Sequence, residues 1–207
     1  MGPCSFRRSV SAWVAFTLFL GIGSGFGQGS PEPKPNVSDQ PLAAEQLAVY
    51  SVILQGWGDD GKATVNLSIQ TVPLQTSGPM GDEGCAKGLD LETASPGVVH
   101  RFRKQDLPQL GSGKIRLVDP QAQSGEIRKN DPSNTMRQGV SVEDAVRNAF
   151  AHGLVILSEI QLDKGHLHAI VSYGFVCGGL CGDGGTAVME KTNGIWKVKS
   201  RCHDWIS

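Results

Sequence analysis

The chain has 207 residues, with 19 Lys and Arg against 20 Asp and Glu, for a formal net charge of −1. That near-neutral balance excludes the basic surface that nucleic-acid binding calls for, and equally a polybasic contact with a membrane. The length suits one hydrophobic core and is too short for two large domains.

The N-terminus reads as an export signal. Arg7 and Arg8 form a short basic region, and Ser11 to Ile22 follow without a charge. Small residues come next, with Gly25 and Gly27 placed to fill the pockets of a signal peptidase. This layout predicts a signal peptide over 1–27, cleaved before Gln28. The apolar run is about twelve residues, short of the ~20 a spanning helix needs, so no membrane span is expected after cleavage. Cys4 precedes the apolar run, which is the wrong side for a lipoprotein, and SFRRSV lacks the apolar residues that follow a twin-arginine pair. Residues 28–41 (QGSPEPKPNVSDQP) are rich in proline, glycine and polar groups, and predict a disordered leader. Residues 42–207 are expected to form a single domain. Asn36 and Asn66 each open a glycosylation sequon, which matters only in a eukaryotic secretory route.

Leu42 to Trp57 places Leu47, Tyr50, Leu54 and Trp57 on one helical face. Ala63 to Val72 alternates, with Val65, Leu67 and Ile69 on one side of a half-buried strand. Residues 73–97 are turn-rich and carry Cys85, with no element assigned. A short helix is expected near 98–107, a short strand over 114–118 and a loop over 119–139. Ser141 to Phe150 reads as a helix, with Ser141 as N-cap and Asp144 three residues on. Four strands then follow: 154–161, 166–176, 186–191 and 195–200. Asp163-Lys164-Gly165 and Thr192-Asn193-Gly194 supply turns. In the second strand Leu167, Ala169, Val171, Tyr173 and Phe175 share the expected core face. The fold class is therefore α+β: a C-terminal four-strand antiparallel meander, with an N-terminal helix and one further helix packed on it.

Four cysteines remain after cleavage: Cys85, Cys177, Cys181 and Cys202. An even number outside the cytoplasm reads as disulfides, and three pairings are possible. Gly178 and Gly179 allow the chain to turn back between Cys177 and Cys181, so that pair is favoured, and Cys85–Cys202 follows by elimination.

Tyr50-Ser51 on the first helix, Thr71 at the end of a strand, and the run from Leu157 to Lys199 ending in Trp205-Ile206-Ser207 carry a resemblance. They resemble a group of uncharacterised exported bacterial proteins. These share a two-cysteine glycine loop, a Lys-x-x-Gly-x-Trp-Lys hairpin and a terminal Trp-Ile-Ser. The likeness covers 154–207 well and 42–72 thinly. This chain carries Glu159-Ile160 where those proteins have Gly-Phe, and it adds Cys85 and Cys202 as partners. The resemblance implies export and a paired Cys177 and Cys181. It implies no activity.

The residues offer several candidate chemistries. Cys177-Gly-Gly-Leu-Cys181 has three residues between its cysteines and strand on both flanks, unlike thiol oxidoreductases, so a structural disulfide is preferred to a redox centre. His166 and His168 fall two apart on a strand, and Cys177, Cys181 and His203 could join them around zinc. Disulfide formation outside the cell competes with that set, and no metal or cofactor is expected. Gly111-Ser112-Gly113-Lys114 lacks the remaining residues of a phosphate-binding loop. Ser158, Ser172, Glu159, His168 and His203 offer hydrolytic groups, but no spacing ties them into a triad. Trp196 and Trp205 read as core aromatics. No catalytic residue follows from this pattern. The expected function is an exported non-enzymatic domain that binds a protein or an envelope component. The rivals are an envelope hydrolase using His168 or His203, and a thiol oxidoreductase.

Overall fold

The computed structural model describes residues 36–55, 57, 63–74, 84–93, 97–111 and 114–207, without the side chains of 203 and 204. The expected signal segment and its cleavage point lie outside the described residues, as do parts of the 73–97 loop.

Two sheets and four helices make up the described fold. The smaller sheet pairs β1 (Asn36–Ser38) with β3 (Val98–His100) in parallel. The stretch expected as a leader thus reaches into this sheet. The larger sheet has seven strands. They are β2 (Thr64–Ser68), β4 (Lys114–Val118), β5 (Leu154–Leu157), β6 (Gln161–Leu162), β7 (His168–Gly178), β8 (Cys181–Thr192) and β9 (Ile195–Ile206). Their order is β4-β2-β5-β7-β8-β9, with β6 beside β7.

This corrects the expected four-strand meander with two helices. The antiparallel strands are one part of a mixed sheet, which continues past β5 into β2 and β4, both parallel. The helix expected near 98–107 is instead β3 followed by a 3-10 turn over Lys104–Gln109. Val99 is buried as a strand residue, paired with Val37 of β1.

The 119–139 loop is also corrected. It contains α2 (Pro120–Lys129) and α3 (Pro132–Arg137). The two begin alike. Asp119 accepts a hydrogen bond from the Ala122 amide, Asp131 accepts one from the Ser133 amide, and each aspartate precedes a proline at the first helical position. α4 (Val142–His152) starts at Ser141, whose hydroxyl caps the Asp144 amide.

α1 (Ala44–Leu54) buries Leu47, Val49, Tyr50, Ile53 and Leu54, more than a single stripe, and packs against β9. The core also takes Leu67, Val155, Ala169, Val171, Phe175, Met189 and Trp196. Leu167, expected on the core face, is exposed because β7 starts one residue later.

The glycine run after Cys181 lies inside β8, not in a loop. A Cβ on Gly184 would lie 2.6 Å from the Tyr173 carbonyl and 2.8 Å from the Trp205 indole nitrogen. One on Gly182 would meet the Phe175 carbonyl at 2.7 Å and the same indole at 3.3 Å. The glycines form a flat bed that lets Trp205 lie across the strand.

Two disulfides hold the fold. Cys177–Cys181 clamps the β7–β8 hairpin, with Cα atoms 5.0 Å apart. Cys85–Cys202, with Cα atoms 6.1 Å apart, ties the loop around residue 85 to β9 across a sequence separation of 117. Among the described residues no helix is long and apolar enough to cross a membrane.

Candidate functional site

His166 and His168, singled out in the sequence, bind different partners. His166 precedes β7 and adopts φ 52°. Its Nδ1 lies 2.7 Å from Glu45 on α1, and its Nε2 lies 3.1 Å from Glu92. The hydrogen bond to Glu45 leads the interactions that raise the His166 pKa above its ordinary value. Burial would raise Glu45, but hydrogen bonds from Lys191 and His166 outweigh it and leave that carboxyl lowered.

His168 makes a separate network. Its Nδ1 is 3.0 Å from Asp163, its Nε2 is 3.4 Å from Glu190, and Lys199 lies 2.8 Å from Glu190. Both rings are thus engaged on both nitrogens. Among the described residues no group of three His, Cys, Asp or Glu is placed to hold a metal ion. The side chain of His203 lies outside the described atoms.

The serines are similarly occupied. The Ser158 hydroxyl donates to the Glu159 carbonyl at 2.7 Å and accepts from the Ser172 amide at 2.8 Å. The Ser172 hydroxyl pairs with Thr186 at 2.8 Å. These bonds stitch strands together, and neither hydroxyl bonds a histidine. Cys177 is buried, and Cys177 and Cys181 both lie on strands and are joined to each other in a disulfide. Trp196 is a core residue, with Lys191 5.5 Å above its ring, while Trp205 is partly exposed on its glycine bed. Asn66 is buried and fully bonded, its amide donating to Ala151 and Gly153 and its oxygen accepting from Arg116, so the second sequon is inaccessible in this fold.

A different cluster opens on a cleft. His100, the last residue of β3, and Glu159, just after β5, stand 59 residues apart in sequence. The His100 Nδ1 is 2.8 Å from Glu159 Oε2, and both side chains are 17% exposed. The other carboxylate oxygen accepts the His100 amide at 2.8 Å and a short bond from the Thr71 hydroxyl. Thr71 Oγ1 also accepts the His100 amide at 2.8 Å and lies 3.1 Å from the His100 carbonyl.

With the carboxylate as acceptor, the neutral ring has its hydrogen on Nδ1 and its lone pair on Nε2. No partner for Nε2 occurs among the described residues. Beneath the pair, Tyr50 donates to the Ser158 carbonyl at 2.8 Å. Burial first, and then the charge of Glu159, push its phenol well above the usual range.

His100 and Glu159 line a cleft of about 470 Å³ between β1, the 3-residue strand β3 and the β5–β6 connection. Its polar wall includes Gln40, Gln46, Glu92 and Gln161, its apolar wall Leu74, Val98, Ile160 and Leu162, and none of its described lining residues is Lys or Arg. Gln46 uses its Oε1 to cap the Ala43 amide, which leaves its Nε2 as a donor. Gln161 donates its Nε2 to the Glu92 carbonyl, which leaves its Oε1 as an acceptor.

This cluster has no signature in the sequence. Thr71, His100 and Glu159 obey no local spacing, and only the meeting of the two sheets brings them together.

No protein-family model, curated protein or solved structure matches this chain.

Proposed function

We propose that this chain is an exported binding domain whose ligand is a small, uncharged molecule bearing a secondary amide. The cleft beside His100 carries this reading. It pairs an amide donor at Gln46 with an amide acceptor at Gln161, over an apolar wall. Such a pair matches the acceptor and donor of a ligand amide, and the apolar wall accepts its methyl or ring face. The lack of Lys or Arg among the described lining residues argues against a phosphorylated or carboxylated ligand. N-acetylated sugars and short peptides of a cell envelope share this chemistry.

Export supports the same reading. The signal sequence over 1–27 and two disulfides suit a periplasmic or secreted protein. Mass spectrometry of the exported protein should begin at Gln28, and an intact N-terminus in the cytoplasm would count against it.

Calorimetric titration with an N-acetylated disaccharide and with a capped neutral dipeptide separates the two ligand sources. At least one should bind saturably, and Gln161→Ala should weaken that binding about tenfold, the loss of one hydrogen bond. Binding by neither probe, or binding indifferent to Gln161, contradicts the reading.

A further inference from the structure

We propose that His100 and Glu159 form a general-base pair, and that the cleft hydrolyses an uncharged carboxylic ester or amide. This rests on the binding reading above and adds chemistry to it.

The geometry is that of an oriented base. The Glu159 carboxylate holds the His100 Nδ1 at 2.8 Å, while its second oxygen is pinned by the His100 amide and the Thr71 hydroxyl. Three contacts therefore fix the carboxylate, and the carboxylate fixes the ring. The ring nitrogen that has no partner among the described residues belongs to a side chain that lines the cleft. A strand staple alone needs only the backbone amide of His100 and the Thr71 hydroxyl. The ring contact is superfluous to it.

The step balances with water as the nucleophile. His100 Nε2 takes a proton from a bound water as the water oxygen bonds to the acyl carbon. The carbonyl pair moves onto its oxygen. When that pair returns, the bond from carbon to the ester oxygen or amide nitrogen breaks, and the leaving atom takes the proton from Nε2. The products are an acid and an alcohol or amine. Glu159 acts as a positioning residue: its charge stabilises the imidazolium that forms between the two proton transfers. The described walls offer no cation for a phosphoester, which leaves carboxylic acyl groups as the class.

The disulfide-intact protein is assayed with p-nitrophenyl acetate, an uncharged ester, across pH. His100→Gln should lower the rate about 100-fold or more. Glu159→Gln should lower it and displace the pH profile, while the titrations with disaccharide and dipeptide still show binding. A purely structural role for Glu159 would change the amount of folded protein and leave the profile in place.

Should His100→Gln fail to fold, diethyl pyrocarbonate on the unmutated protein replaces it. Activity should fall in step with modification of His100 and return with hydroxylamine. A rate no greater than that of His100→Gln, or activity that survives modification of His100, overturns the catalytic proposal. Binding of the titrated probes decides the binding reading separately.

Discussion

His166 shows how a single exposed residue can join elements distant in sequence. Its ring bonds Glu45 from α1 and Glu92 from the loop before β3, and Lys191 on β8 shares Glu45 at 2.7 Å. The folded pKa of His166 is raised, so the protonated ring is the form the fold prefers. Its contribution to stability is fully present below the unfolded imidazole value of about 6.5 and is lost as pH rises through the higher folded value. Urea midpoints of the protein and of His166→Gln should therefore differ at low pH and converge on the alkaline side. A gap that is constant with pH would show that the two carboxylates do not sense the ring's charge. The sequence marked His166 as a strand neighbour of His168 with a shared direction. His166 lies before β7 at a positive φ, so strand alternation does not relate the two rings, and they bond different partners.

Among elements, α2 and α3 were legible in retrospect but not from periodicity. Their sequences are polar, and most of their side chains stay out of the core, so the apolar spacing that reveals a helix is missing. The readable signal was local: Asp119-Pro120 and Asp131-Pro132, each an N-cap followed by a residue preset for the first turn. The two caps differ in reach. Asp131 also accepts the Gly179 amide at 2.6 Å, so it fastens α3 to the tip of the β7–β8 hairpin. Hydrogen bonds from Ser133 and then Gly179 lower its carboxyl pKa. Asp119→Ala should cost about 1 kcal/mol, the ordinary loss of a cap. Asp131→Ala should cost more and should speed amide exchange at Gly179. Equal costs, with exchange at Gly179 unchanged, would mean that the link to the hairpin contributes nothing. The strands of the C-terminal half were clearer, because their alternation and the Asn193-Gly194 turn are local signals. The parallel pairing of β2 with β4 and β5 was not, since strand order depends on contacts between distant segments.

The whole molecule depends on bringing such segments together. Cys85–Cys202 closes the longest covalent loop among the described residues, and in the chain-entropy view this restrains the unfolded chain by about 4–5 kcal/mol. Cys177–Cys181 closes a loop of only a few residues and restrains it far less. Cys202→Ser should therefore lower stability by a few kcal/mol and Cys181→Ser by clearly less, read from denaturant midpoints. Equal losses would mean that the long bridge is strained or that the unfolded chain is already compact near it. The candidate site is a property of the same scale. Thr71, His100 and Glu159 come from three stretches of chain, and they meet only where the small sheet abuts the large one. Amide-shift mapping of the labelled protein during titration with the N-acetylated disaccharide and the capped dipeptide tests that placement most directly. The account predicts saturable shifts centred on Glu92, His100 and Gln161. Shifts centred on α4 or on the hairpin tip at Leu180, or no saturable shift with either probe, would contradict it.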